Sequence, residues 1–146
     1  MSVPARWPAL LAAAWAGILL CIAGMAAPAA FATLPSADAG RVVGRLFAQE
    51  ATLSMVLALL LFFAEQRRAR EAAEEGRGSA LSAETLLVLG TFFCTVAGYY
   101  AIEPMMAAAR AGTGRWSFGA LHAVSLVFYG LKTLLVIVLA WRLGRR

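Results

Sequence analysis

Four polar side chains within one apolar run of this sequence could do chemistry together. His122, Ser125, Tyr129 and Lys132 follow one another at spacings of three, four and three. On a helix turning about 100° per residue they fall within about 80° of arc. One face of a segment otherwise rich in Leu, Val and Ala thus carries an imidazole, two hydroxyls and an amine. Polar groups placed so should turn away from hydrocarbon, where they would stay unsatisfied. Glu50, inside a second apolar run, and Glu103, near the end of a third, add two carboxylates. With Tyr99 and Tyr100 nearby, such a layer could bind a proton, a cation or a small ligand. Glu50, Glu103, His122, Ser125 and Tyr129 are therefore the candidate ligand-binding residues. A plainer reading has Glu50 paired with an arginine and His122 bonded to a neighbour, stitching the helices together.

Composition says which elements must carry these residues. The chain has 146 residues, 62% of them apolar and 14% charged, with mean hydropathy +0.76. Soluble domains carry about 25% charged residues. A fold of this size has too little interior to hide so much apolar surface. An ordinary soluble enzyme, a disordered chain and a disulfide scaffold are excluded. Crossing about 30 Å of hydrocarbon takes about 20 apolar residues in a helix. Four stretches qualify, at residues 9–31, 40–66, 85–106 and 118–141. Their continuous Leu/Ala-rich character argues against barrel strands, which would alternate. The expected fold is all-α, a single domain over residues 1–146. It is an integral membrane bundle of four antiparallel transmembrane helices, both termini inside.

Orientation comes from arginine. Arg6, Arg67, Arg68, Arg70, Arg77, Arg142, Arg145 and Arg146 would lie on one side, and Arg41, Arg45, Arg110 and Arg115 on the other. The positive-inside bias puts the first set, with the 67–83 loop, in the cytoplasm. The expected location is the plasma membrane, the inner membrane of a bacterium. Trp7, Trp116 and Trp141 fall near helix ends as interfacial anchors, and Trp15 sits deeper as a packing residue. The first segment resembles a signal peptide, with Ala29-Ala30-Phe31-Ala32 at its end, but it exceeds the 7–15 residues of an ordinary apolar leader core. It is expected to stay as a helix. Leu19-Leu20 ahead of Cys21 argues against lipidation there. Ser82 is the expected cap of the third helix, and Ser36 or Asp38 that of the second.

Small residues suggest where helices meet. Gly17, Cys21, Gly24 and Pro28 share one face of the first helix; Gly40 and Gly44 open the second; Gly90, Cys94 and Gly98 recur every four residues on the third. All nine are expected at packing seams, since close approach drives association in lipid. Both cysteines are then packing residues rather than ligands or a disulfide.

Depth along the membrane normal predicts which polar groups meet. With the second span counted from Leu46, Glu50 and His122 both sit about 6 Å below the outer boundary. Met25, Tyr99, Tyr100 and Glu103 fall in the same layer. Lys132 would lie about 21 Å down, reaching for the inner interface and missing Glu50. Arg41, Arg45 and Arg115 are the expected partners of Glu50 and Glu103.

Several chemistries lack their residues. There is no H-E-x-x-H, no phosphate-cradling glycine loop, no C-x-x-C and no G-x-S-x-G. A single histidine cannot make a bis-histidine haem site. Met25, Met105, Met106, His122 and the cysteines have the softness for Cu(I), but the cysteines lie deeper than the methionines. No enzyme activity, metal or cofactor is expected. The net charge of +5 reflects helix-end arginines rather than a nucleic-acid surface.

Two groups of residues resemble a known family. Ala27-Pro28, Phe31, Leu34-Pro35, Ala39-Gly40 and Gly44-Arg45-Leu46-Phe47 are similar to the segment after the first helix in the transmembrane-protein-205-like family. Leu121-His122, Ser125 and Tyr129 resemble that family's closing segment. The resemblance implies a four-helix membrane domain of largely uncharacterised activity. A more distant likeness is to copper-resistance-D-type membrane proteins. The leading expectation is a multi-pass membrane protein that binds or helps move a small solute or ion. The first alternative is a structural or accessory subunit; the second is a haem- or quinone-type redox membrane protein. Expected partners are the lipid bilayer and either further copies of the chain or another membrane protein.

Overall fold

The computed structural model describes residues 6–146, and they form helices joined by short connections. Four helices are long and apolar enough to span a membrane: α1 (Trp7–Thr33), α2 (Ser36–Glu74), α3 (Ala83–Arg110) and α4 (Phe118–Gly144). The chain is thus a multi-pass membrane protein by length and composition.

Local chemistry sets the ends. Leu34 and Pro35 are extended and separate α1 from α2, as proline disfavours helix in the residue before it. Neither Ser36 nor Asp38 caps α2; Pro35 holds the cap position, and Asp38 pairs with Arg41 in the first turn. α2 then runs 39 residues without a break. Its last part covers much of the expected 67–83 loop, because the Ala-, Arg- and Glu-rich stretch favours helix. Gly76 and Gly78 stop it with φ of 72° and 91°, values that only glycine adopts readily. The Ser82 hydroxyl accepts from Thr85 N–H at 3.1 Å to start α3. The Ser117 hydroxyl accepts from Ala120 N–H at 3.2 Å to start α4.

α1 and α3 each contain a π-helical turn, at Ile22–Ala26 and Val96–Ala101. Pro28 and Pro104 follow these turns by two and three residues. Each proline removes a backbone donor and crowds the preceding turn, so the helix widens there.

α4 packs between α1 and α3, and α2 packs on α3 and α1. α2 and α4 therefore face each other across the bundle. The main core joins Ala12, Trp15 and Leu19 of α1, Leu57 and Leu61 of α2, Val88 of α3, and Val136 and Leu139 of α4. A smaller cluster of Ile102, Met106 and Leu121 ties α3 to α4 nearer the Phe118 end. The polar layer lies between the two.

The small-residue faces divide. Gly98 meets α4 directly, since a Cβ there would lie 2.5 Å from Phe128 Cβ. Gly90 faces Leu135 in the same seam, and Cys94 is buried. Gly17, Cys21, Gly24 and Pro28 instead lie exposed on the outside of α1. A Cβ on Gly17, Gly24, Gly40 or Gly44 would meet nothing within 4 Å. The expected seams on α1 and α2 are corrected on this point. Trp15 and Leu19 set the α1 contact instead, with Ala12 and Ala16 completing the inward stripe.

Candidate functional site

Glu50 is the hub of the polar layer. Its Oε1 accepts from Lys132 Nζ at 2.7 Å and from the Ser54 hydroxyl one turn along α2. Ser54 Oγ accepts from Trp15 Nε1 at 2.9 Å. The Lys132 ammonium also lies 5.0 Å from the centre of the Tyr129 ring, a cation–π distance. The Tyr129 hydroxyl donates to the Leu19 carbonyl at 2.9 Å, returning the network to α1. Phe47 meets the Tyr129 ring edge-on at 5.2 Å. α1, α2 and α4 are thus held in one polar circuit. Ser125 adds α3 by donating to the Gly98 carbonyl at 3.0 Å, within the π turn.

The Glu50–Lys132 pair corrects the depth expectation, which kept these residues apart. Glu50 is 4% exposed and Lys132 3%. The error lay in counting the depth of Glu50 from Leu46 rather than from the start of α2. The helix starts at Ser36, ten residues before Leu46. Glu50 lies fourteen positions beyond Ser36 and Lys132 fourteen beyond Phe118. Both stand about 21 Å along their helices. Lys132 therefore turns inward to the carboxylate rather than out to an interface. The expected arginine partners are corrected too. Arg41 pairs with Asp38, and Glu103 pairs with Arg110 at 3.5 Å. Among the described residues neither Arg45 nor Arg115 forms an ion pair.

Above this pair, toward the Phe118 end, lies a cavity of about 270 Å³. All five candidate ligand-binding residues, Glu50, Glu103, His122, Ser125 and Tyr129, line it. Lys132, Glu50 and Tyr129 stand at one end, where the polar circuit closes. At the other end Arg110 lies 4.9 Å over the Phe118 ring, and Phe118 stacks on His122 at 5.7 Å. Phe31, Val43, Phe47, Met106 and Leu126 supply apolar walls. Tyr99 also lines the cavity, whereas Met25 is 69% exposed and does not. The volume is near the lower end of small-molecule pockets, which run from about 300 Å³ upward. Among the described residues, no three His, Cys, Asp or Glu side chains cluster as a metal site would need.

A second buried charge cluster went unread in the sequence. At the opposite end of the bundle, Arg146 pairs with Glu65 at 2.8 Å and with Glu84 at 2.7 Å. Arg142 adds a bond to Glu84 at 2.9 Å. Glu65 and Glu84 are buried. A signal was present on α2: Glu50, Ser54, Leu57, Leu61 and Glu65 recur at three- to four-residue spacing, one stripe of a helix. Ser54 and Glu65 belong to the inward face on that count alone.

A family model described as Domain of unknown function (DUF4149) matches residues 10–115. The chain belongs to that family. The matched stretch holds Trp15, Glu50, Ser54, Glu65, Glu84 and Glu103, and it stops short of α4 with Lys132, Arg142 and Arg146. No curated protein and no solved structure matches the chain.

Proposed function

We propose that this chain binds a small solute or ion in the cavity between its four helices, and helps move it within or across the membrane. The observation that carries the reading is the buried Glu50–Lys132 pair at one end of a cavity of about 270 Å³. Two opposite charges in a membrane-spanning bundle are costly to place, and such groups commonly mark binding or transport sites. A purely structural tie would need no space beside it. The residues behind the transmembrane-protein-205-like resemblance support the same location: Phe31, Gly40, Gly44, Phe47, His122, Ser125 and Tyr129 all line this cavity.

The orientation belongs to the proposal. The four helices run antiparallel, with both termini and residues 75–82 on the cytoplasmic face of the plasma membrane. The arginine asymmetry supports this. A cysteine at Ser79 should then be shielded from an impermeant maleimide in intact cells, while one at Thr113 reacts.

Native mass spectrometry of gently purified protein, with elemental analysis of the same sample, tests the binding reading. A stoichiometric small molecule or ion is expected in the parent chain and reduced in Glu50→Gln and His122→Ala. A bare chain in every sample would overturn it.

A second reading, an accessory subunit or homo-oligomer, is favoured by the exposed small-residue face of α1 at Gly17, Cys21, Gly24 and Pro28. Small residues left free on a membrane helix allow another helix to approach closely. The same spectra would show that partner as added protein mass.

A further inference from the structure

We infer that the cavity is reached sideways from the bilayer, between α1 and α4, and that its occupant is a neutral, membrane-dissolved molecule with a carbonyl head. This rests on the cavity-binding reading and names its substrate class and route.

The route comes from how α1 packs. Its Trp7–Cys21 part lies along α4. Beyond the π turn, Ala27–Thr33 packs on α2, and residues 22–33 make no comparable contact with α4. The cavity wall is therefore incomplete on this side. Phe31 of α1 and Leu126 of α4 both line the cavity, and each is 53% exposed. In a membrane-spanning bundle, the medium outside those residues is lipid.

The ligand class comes from the charged end. An ammonium has three N–H donors. Lys132 Nζ donates only to Glu50 among the described residues, although the side chain is 3% exposed and lines the cavity. A second donor faces the Tyr129 ring, whose centre is 5.0 Å away, and the third calls for an acceptor oxygen. Glu50 already cancels the lysine charge, so an anionic head would meet the carboxylate and a cationic head the ammonium. A neutral carbonyl satisfies the third donor without either penalty. At about 270 Å³ the cavity holds a ring or ester head group rather than a whole lipid. An alkyl tail would leave through the gap beside Leu126.

The test uses the full chain in nanodiscs of ether-linked phosphatidylcholine, which has no carbonyl of its own. The probe is dodecyl-benzophenone, a neutral aryl ketone that labels what it touches on irradiation. Saturable labelling of Met106 and cavity residues of α4 is expected. Decyl-benzoquinone and dioctanoylglycerol serve as competitors, and whichever suppresses labelling identifies a ring ketone or a lipid ester as the source. Lys132→Met should weaken labelling about tenfold, the effect of one hydrogen bond from a charged donor. Should that variant fail to fold, Leu126→Trp fills the gap from an exposed position and should also cut labelling. Suppression by decanoate but by neither neutral competitor would overturn the carbonyl assignment. If chain-free benzophenone labels the cavity equally well and Leu126→Trp has no effect, the lateral route falls while the binding reading stands. Saturable labelling by neither probe would overturn both.

Discussion

Glu50 and Lys132 stand at the same distance along two helices that lie diagonally across the bundle, and their side chains meet at 2.7 Å. The pair spans the diagonal, so it closes the distance between α2 and α4 that backbone packing leaves open. Ser54, one turn along α2, donates to the carboxylate and itself accepts from Trp15 of α1. Tyr129 ties α4 to the Leu19 carbonyl.

Removing one partner of this pair should be far worse than removing both. Lys132→Met or Glu50→Leu alone leaves a buried charge uncompensated and should cost about 3 kcal/mol or more. The double variant should lose much less than the sum of the two. Unfolding in mild detergent, measured as a double-mutant cycle, reads the coupling directly. Simple additivity would mean the two charges do not interact.

The cluster at the other end makes a different prediction. Arg146→Ala strips Glu65 of its one ion-pair partner among the described residues, while Glu84 keeps Arg142. Stability should fall by about 2 kcal/mol. Glu65→Gln in the same chain should restore part of it, because a neutral amide tolerates the lost partner better. Thermal melts of the parent chain and the two variants check the order.

The glycine faces can be separated by adding a single methyl group. Gly98→Ala places a Cβ against Phe128 and should destabilise by about 1–3 kcal/mol through overpacking. Gly17→Ala and Gly24→Ala meet open space and should leave the monomer's melting temperature unchanged. A loss of self-association in those two variants, with the fold intact, would favour the accessory or oligomeric reading.

The two cysteines should also behave differently. Cys21 is exposed and Cys94 is 3% exposed. In mild detergent a small maleimide should modify Cys21 at least about tenfold faster than Cys94, since access limits a buried thiol. Peptide mapping over a time course gives both rates. Equal rates would mean that α3 does not hold Cys94 against α4.

Much of this architecture was legible from periodicity and composition. The four spans follow from apolar run lengths, and the Ser82 cap from its place before an apolar run. The stripe His122, Ser125, Tyr129 and Lys132 was readable as one face, and its members line one cavity with Glu50 and Glu103. The Lys132 partner was not readable, because an apolar run marks where hydrophobicity begins rather than where a helix begins. Counting from Ser36 instead of Leu46 adds ten residues, about three turns, and brings Glu50 to the level of Lys132. The α1 face was misread for another reason. Small residues permit close approach but do not demand it, and Trp15 and Leu19 claimed the bundle interior instead.

The separation of Glu50 and Lys132 along the chain bears on how the protein is made. The two stand eighty-two positions apart. At about 5–20 residues per second, a ribosome needs roughly 4 to 16 s to add that stretch. Throughout that interval α2 has been synthesised and its carboxylate has no counter-ion. Newly made α2 should therefore linger beside the insertion machinery, or stay partly out of the bilayer, until α4 delivers the lysine. Release into lipid then becomes a late and concerted event, and chains cut short before α4 should be preferred targets of membrane proteolysis.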